Sequence, residues 1–360
     1  MSRFCFPSVC LVGLLISGNA VAFSAEPAKR EPVTLENVQA PQPNQLDEPL
    51  AKEFSLDKAV DFLDSAALNW QKQRQCFTCH TNYAFLYARP LVSSTAPVHA
   101  TVRGFAEELV EKRWVEKGPR WDAEVIATAA ALAANDALTT GKLHPTTRQA
   151  LDKMWTLQRE NGGWTWLKCG WPPMESDDHY GACLAAVAVS VAPENYRQTD
   201  VAKAGIAKLK EYLAKNPSPT LHHSAMLLWA SSYGTDFLTP EQQQATRDKL
   251  IALQQADGGW SLPTLGDWKR DDKSPQSEVS DGYGTGFVIF VLRRTGLPAT
   301  DARLQKGVVW LKNNQRESGR WITRSLKKDG HHFISHAGTA FAIMAIKSCE
   351  APATAAVGMK

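Results

Sequence analysis

The 360-residue sequence is short of several things, and each shortage excludes a class of protein. Beyond the first 25 residues it has no apolar run long enough to cross a membrane as a helix. Charge of one sign is missing too: 40 Lys and Arg stand against 37 Asp and Glu, a formal net charge of +3. The basic residues are scattered rather than striped, so nucleic acid finds no electrostatic footprint. Cysteine is sparse, seven in all, and Cys5 and Cys10 fall in the leader described next. Cys76 and Cys79 belong to a motif of their own. That leaves Cys169, Cys183 and Cys349 with at most one disulfide among them, a Cys169–Cys183 bridge being the candidate. Apolar residues are few over 26–52, where Pro27, Pro32, Pro41, Pro43 and Pro49 concentrate. Such a stretch buries too little surface to offset chain entropy, so it is expected to be a disordered linker, and the 350–360 tail flexible.

What is present begins with that leader. Arg3 precedes an apolar core from Phe4 to Ile16, and Ala20-Val21-Ala22 forms a small-residue cleavage site. Residues 1–25 read as a secretory signal peptide, which places the mature protein in the periplasm or outside the cell with no transmembrane span.

One phrase then recurs. Gln158-Arg-Glu-Asn-Gly162-Gly163-Trp164 is echoed by Gln254-Gln-Ala-Asp-Gly258-Gly259-Trp260 and by Gln315-Arg-Glu-Ser-Gly319-Arg320-Trp321. Each copy follows an amphipathic helical run, where Gly supplies the left-handed residue that stops a helix. Trp is then placed to cap the gap between neighbouring helices, and Gln to bond free backbone groups there. Charged amphipathic segments start near Ser55, Val98, Pro145, Thr199, Thr239 and Ala299. Each is followed by one that is small and apolar on nearly all faces, near Asn82, Trp121, His179, Leu221, Asp281 and Ser335. A helix apolar all round must be buried on all sides. Six outer/inner pairs predict an all-α (α/α)6 toroid over 53–349, since six pairs suffice to close a ring; an open solenoid is the alternative.

The Gln…Gly…Trp phrases resemble the QW motif of squalene–hopene cyclases and the related repeats of protein prenyltransferase β subunits, over roughly residues 54–349. The resemblance implies the same α/α toroid. Glu175-Ser176-Asp177-Asp178 also resembles the Asp-x-Asp-Asp motif of class II terpene cyclases, with Glu in the first position. It implies catalytic roles for Glu175, Asp177 and Asp178, with Asp177 protonating an alkene. Crowded carboxylates raise one another's pKa, which would keep one of them protonated. Two departures stand against this: His179 follows the motif, and those enzymes usually carry two helical domains. Asp281-Gly282-Tyr283 and His336 fall where prenyltransferase β subunits place zinc ligands, but Tyr283 replaces the thiolate and two ligands make a poor zinc site.

In a ring of this kind the inner-helix N-termini meet at one mouth. That gathers Tyr180, Asp122, Glu124, His222, His223, Asp281, Tyr283 and His336 as candidate substrate-binding residues, with helix dipoles pointing at the same place. Asp is also a favoured N-cap, which supplies a purely structural account of each acid. The opposite end collects no comparable polar set in the sequence.

Cys76-Phe77-Thr78-Cys79-His80 is the sharpest short motif. In an exported protein it reads as a c-type haem attachment site, with Cys76 and Cys79 as thioether anchors and His80 as axial ligand. Another metal, or a structural or redox disulfide, are the alternatives. His222, His223, His336, His179 and Met174 are candidates for a second axial ligand. Three functions follow as expectations: a cyclase-like toroid acting on or binding an isoprenoid or other small apolar substrate, a haem-bearing protein with a redox partner, or a non-catalytic binding module.

Overall fold

Thirteen helices and no β-strand make up the described residues of the protein, a computed structural model that describes Met1 and residues 31–77, 80–329 and 333–350. The leader over 2–25, Cys79 and the tail from 351 lie outside those residues.

The helices begin and end where local chemistry says they should. α1 (Leu56–Arg74) is capped by the Ser55 side chain, which accepts from the Lys58 amide, and it closes on Lys72 and Arg74. α2 (Asn82–Ala88) is short and buried throughout. α3 (Pro97–Glu108) opens on proline and runs through a π turn (Leu109–Arg113) into the short α4 (Trp114–Lys117). α5 (Asp122–Thr139) is alanine-rich and buried for most of its length. α6 (Pro145–Thr156) again opens on proline, and α7 (Asp178–Val191) is capped by Asp177. α8 (Asp200–Lys215) and α9 (Leu221–Ser231) take Thr199 and Thr220 as caps. α10 (Pro240–Ala252) starts in a capping box between Thr239 and Gln242. α11 (Gly282–Arg294) and α12 (Ala302–Asn313) are capped by Asp281 and Asp301, and α13 (Ile334–Glu350) is the last.

The more polar helices α1, α3, α6, α8, α10 and α12 form an outer layer around α2, α5, α7, α9, α11 and α13. Each inner helix packs on the next, and α13 packs back on α2. The ring is therefore closed, and the expected (α/α)6 toroid is the observed fold. No described helix is long and apolar enough to cross a membrane.

The three repeated phrases do identical work. Trp164, Trp260 and Trp321 are fully buried, and their indole N–H groups donate to the carbonyls of Met154, Leu250 and Leu311, at 2.9, 2.7 and 2.7 Å. The Gln158, Gln254 and Gln315 amides each donate twice. One bond goes to the carbonyl of Gly162, Gly258 or Gly319 within the phrase. The other reaches the next outer helix, at Gly205, Arg303 and Ser55. Ser55 precedes α1, so Gln315 sews the last repeat to the first. The glycines are needed there: Gly162 and Gly319 have φ of +88° and +92°, and a Cβ on either would lie 2.1 Å from a carbonyl oxygen, of Lys208 or Lys58.

The expected disordered linker departs from the sequence reading over its described part. Residues 33–52 are fastened along the ring. Arg320 sits where the other two phrases have a second Gly; it donates to Glu48 at 2.7 Å and to the carbonyls of Gln42 and Pro43. Asn44 donates to the Thr323 carbonyl, the Ala51 amide donates to the Gln315 carbonyl, and Val38 is buried. Composition misjudged this segment because a few polar anchors, not apolar area, hold it.

Candidate functional site

The mouth at the inner-helix N-termini is built first by capping. Asp177 accepts from the Tyr180 amide at 2.9 Å, and Asp281 from the Gly284 amide at 2.9 Å. A second set of bonds ties each phrase to the helix after it. The amide two residues beyond the phrase Trp donates to a side chain at that helix start: Trp166 to Asp178, Leu262 to Asp281, Thr323 to Ser335. Asp178 also meets Arg159 at 3.0 Å and Lys168 at 3.4 Å. Asp122 accepts from the Thr165 amide, and Glu124 is buried against Arg113 and the Trp114 indole. These acids are struts. Burial pushes the Asp281 pKa up to about 6, against four donors, the Gly284, Leu262 and Tyr283 amides and the Thr323 hydroxyl, that favour its charged form.

The remaining candidates do come together. Asp177 Oδ1 lies 3.1 Å from His223 Nε2, and Thr220 Oγ1 lies 2.7 Å from His223 Nδ1. The Ser176 hydroxyl donates to Asp177 Oδ2. Burial pushes the Asp177 carboxyl up, but His223, Ser176 and the Tyr180 amide outweigh it and hold it well below the usual carboxylate range. Asp178 is likewise held low: the Trp166 amide and the Arg159 and Lys168 cations outweigh its burial. Asp177 and Asp178 therefore do not crowd one another into protonation, because each of the two has its own donor or cation. His179 donates from Nε2 to the Asn216 carbonyl at 3.0 Å; burial and the neighbouring His223 bring its pKa down to about 4.

Deeper in, Tyr83 and Tyr180 share a 2.9 Å hydrogen bond, Tyr83 donates to the Met174 sulfur, and His222 Nε2 lies 2.9 Å from the Tyr283 hydroxyl. His222 stacks on Phe287 and, fully buried, stays neutral, its pKa held well below the ordinary value by burial and by His223. His336 Nδ1 meets the Thr81 hydroxyl at 3.0 Å, bridging α13 to the start of α2. These rings plug the centre. The space left among Tyr83, Tyr87, Tyr180, Tyr283, Phe287 and Phe341 is about 10 Å³, room for one water at most. Asp177 borders neither this space nor the larger cavity described below.

His80 is buried, and its Nδ1 lies 3.5 Å from Glu175 Oε1. Cys76 is buried beside it in sequence, while Cys79 is outside the described residues. Among the described residues no three His, Cys, Asp or Glu side chains are placed to hold a metal ion. Cys169 and Cys183 are not bonded to each other: Cys183 is buried within α7 against His179 and the His223 carbonyl, and Cys169 is exposed. The proposed bridge is thus a correction.

The opposite end of the ring corrects the sequence reading further. Where no comparable polar set was expected, the inner-helix C-termini enclose a cavity of about 430 Å³. Its walls include Leu91, Leu138, Val191, Trp229, Phe290 and Met344, and Arg197, Arg293, Arg294 and Lys347 line it as well. That volume lies in the range of small-molecule sites. The sequence carried one signal for it: Arg293-Arg294 ends a helix otherwise apolar all round.

No protein-family model matches the chain, and no curated protein matches it either. Solved structures do. The type II terpene cyclase MstE from Scytonema is 12% identical, with 84% of this chain and 98% of that chain covered and a TM-score of 0.50. A variant of that cyclase, in complex with its substrate geranylgeranyl dihydroxybenzoate, also gives 12% and 0.50, with 81% and 95% covered. An α-1,6-mannanase of glycoside hydrolase family 76 from Salegentibacter is 9% identical, with 81% and 98% covered and a TM-score of 0.50. At such identities the likeness is one of fold, and the same ring serves unlike chemistries.

Proposed function

We propose that this ring holds a small apolar molecule, an isoprenoid or a hydrocarbon of similar girth, in the cavity at the C-terminal end of its inner helices. The observation that supports this is a space of about 430 Å³ walled by Leu91, Leu138, Val191, Phe290 and Met344. Burying an apolar ligand there removes its surface from water at about 25 cal/mol per Å². The terpene cyclase of like fold is solved with a geranylgeranyl compound as substrate, a molecule of the class proposed. Binding is favoured over cyclisation at Asp177, which is ionised by its partners and borders neither of the two spaces described above. The test uses N-phenyl-1-naphthylamine, a neutral apolar dye that brightens out of water. One dye should bind per chain, Ala137→Trp should narrow the cavity and weaken binding ten-fold or more, and Asp177→Asn should leave it unchanged. Binding insensitive to Ala137→Trp would refute the reading.

A second reading rests on His80 and Glu175. A carboxylate near Nδ1 is of the kind that orients a ligating imidazole, so His80 would be the residue that holds a haem attached at Cys76 and Cys79, and the haem would supply electron transfer with a redox partner. Export to the periplasm is required for such attachment. Protein purified from the periplasm of a host competent in haem attachment should show a Soret band that survives acid–acetone extraction. Colourless protein would end this reading.

A further inference from the structure

The larger cavity has a floor, and the helices that wall it show what the floor is made of. Residues three or four apart on a helix share a face, about one 5.4 Å turn apart along the axis. On α11, Phe290 borders the larger cavity, and Phe287, one turn further in, borders the small central space. On α13, Met344 and Phe341 stand in the same relation. The two spaces are therefore stacked along the bore of the toroid, the small one a turn deeper than the large one. Among the described residues, two side chains border both: Tyr87 of α2 and Trp229 of α9.

These two form the partition. Helices α2 and α9 stand three places apart in a circle of six, so they face each other across the bore. Only long side chains can meet over that distance, and the phenol and the indole do, edge to face with centroids 5.6 Å apart. The indole is held from both sides as well, edge-on to Phe290 at 5.1 Å and to Phe341 at 6.4 Å. Beyond the partition the walls stay apolar, with Leu184, Met226 and Phe287. Nothing in the character of those walls would turn back a longer apolar chain; the two aromatic side chains across the bore do.

We infer that Tyr87 and Trp229 determine the specificity of this cavity. Its ligand is a single slender apolar chain that enters from the C-terminal end of the inner helices, lies against Phe290 and Met344, and is selected by length because its tip stops on the indole. The inference rests on the apolar-cavity reading and adds the dimension by which the site chooses. Each methylene buried strengthens binding roughly four-fold, so affinity climbs with chain length until the tip meets the floor and further carbons stay in water.

Displacement of N-phenyl-1-naphthylamine from the full chain by straight-chain alkan-1-ols of four to fourteen carbons tests it. In the unaltered protein, affinity should climb and then break to a plateau within the series. Trp229→Ala joins the two spaces and should move the break up by two carbons or more. Tyr87→Leu, on the opposite helix, should move it the same way, which keeps the test open if Trp229→Ala does not fold. Leu138→Ala widens the side wall without touching the floor and should leave the break in place. A climb without a break in the unaltered protein, or a break that neither floor variant moves, overturns the floor and leaves the apolar cavity standing. Failure of every alcohol to displace the dye overturns both.

Discussion

At the scale of the residue, the histidines of the mouth carry a pH dependence. His179 has a folded pKa near 4 and an ordinary value near 6.5. Between those values the unfolded chain takes up a proton that the folded chain refuses, so stability falls as pH drops from 6.5 towards 4. The loss is on the order of 3 kcal/mol at most. His179→Gln keeps a donor for the Asn216 carbonyl but has nothing to titrate. Denaturant unfolding at pH 7, 5.5 and 4.5 should therefore show a shallower loss in the variant; parallel curves would exclude His179 as the cause. The sequence made the acids and histidines of the mouth easy to pick out, because their types are chemically loud. It did not reveal their roles, because a role depends on which partner a side chain finds across the ring. Asp177 found His223, 46 positions away, and Asp178 found an arginine and a lysine. Arg293, Tyr87 and Trp229 escaped notice for the opposite reason. Each sits in an apolar helix where it reads as core, and only the closed ring shows that it borders a cavity.

At the scale of the element, most of the architecture was legible. The outer and inner starts read from amphipathicity agree with the helices to within a few residues, because a two-layer ring demands one-sided helices outside and all-round apolar ones inside. The Gln…Gly…Trp phrase was legible as well, and its geometry predicts repeatable energetics. Replacing Gln315 by Leu leaves the carbonyls of Ser55 and Gly319 and the Ser55 amide without their partner. Each buried group so orphaned costs about 1 kcal/mol or more. A loss of about 2–4 kcal/mol is expected by denaturant unfolding, with Gln158→Leu and Gln254→Leu costing comparable amounts. A near-zero effect at all three would show that water replaces the side chain. Gly319→Ala should cost at least as much, since it combines positive φ with a Cβ driven into the Lys58 carbonyl.

At the scale of the whole molecule, closure governs how the ring comes apart. In an open stack of helix pairs each unit touches only its neighbours, so the terminal pairs fray first. Here α13 packs on α2, Gln315 bonds Ser55, and residues 33–52 clasp the seam through the Glu48–Arg320 pair. Neither end is terminal in space. α1 and α12 should accordingly exchange their amide hydrogens with the same protection as the central helices α7 and α9, close to that of global unfolding. The seam's weakest point is also defined. Arg320 is almost fully buried, so removing Glu48 strands its charge, a change that costs about 3–5 kcal/mol when a buried pair is broken. Glu48→Ala should then lower protection in α1, α12 and α13 before it does so in α7, converting the ring in effect into an open stack. Uniform loss across all helices would mean that the ring unfolds as one unit whichever bond is cut. Early exchange of α1 in the unaltered protein would mean that the seam does not hold it closed at all.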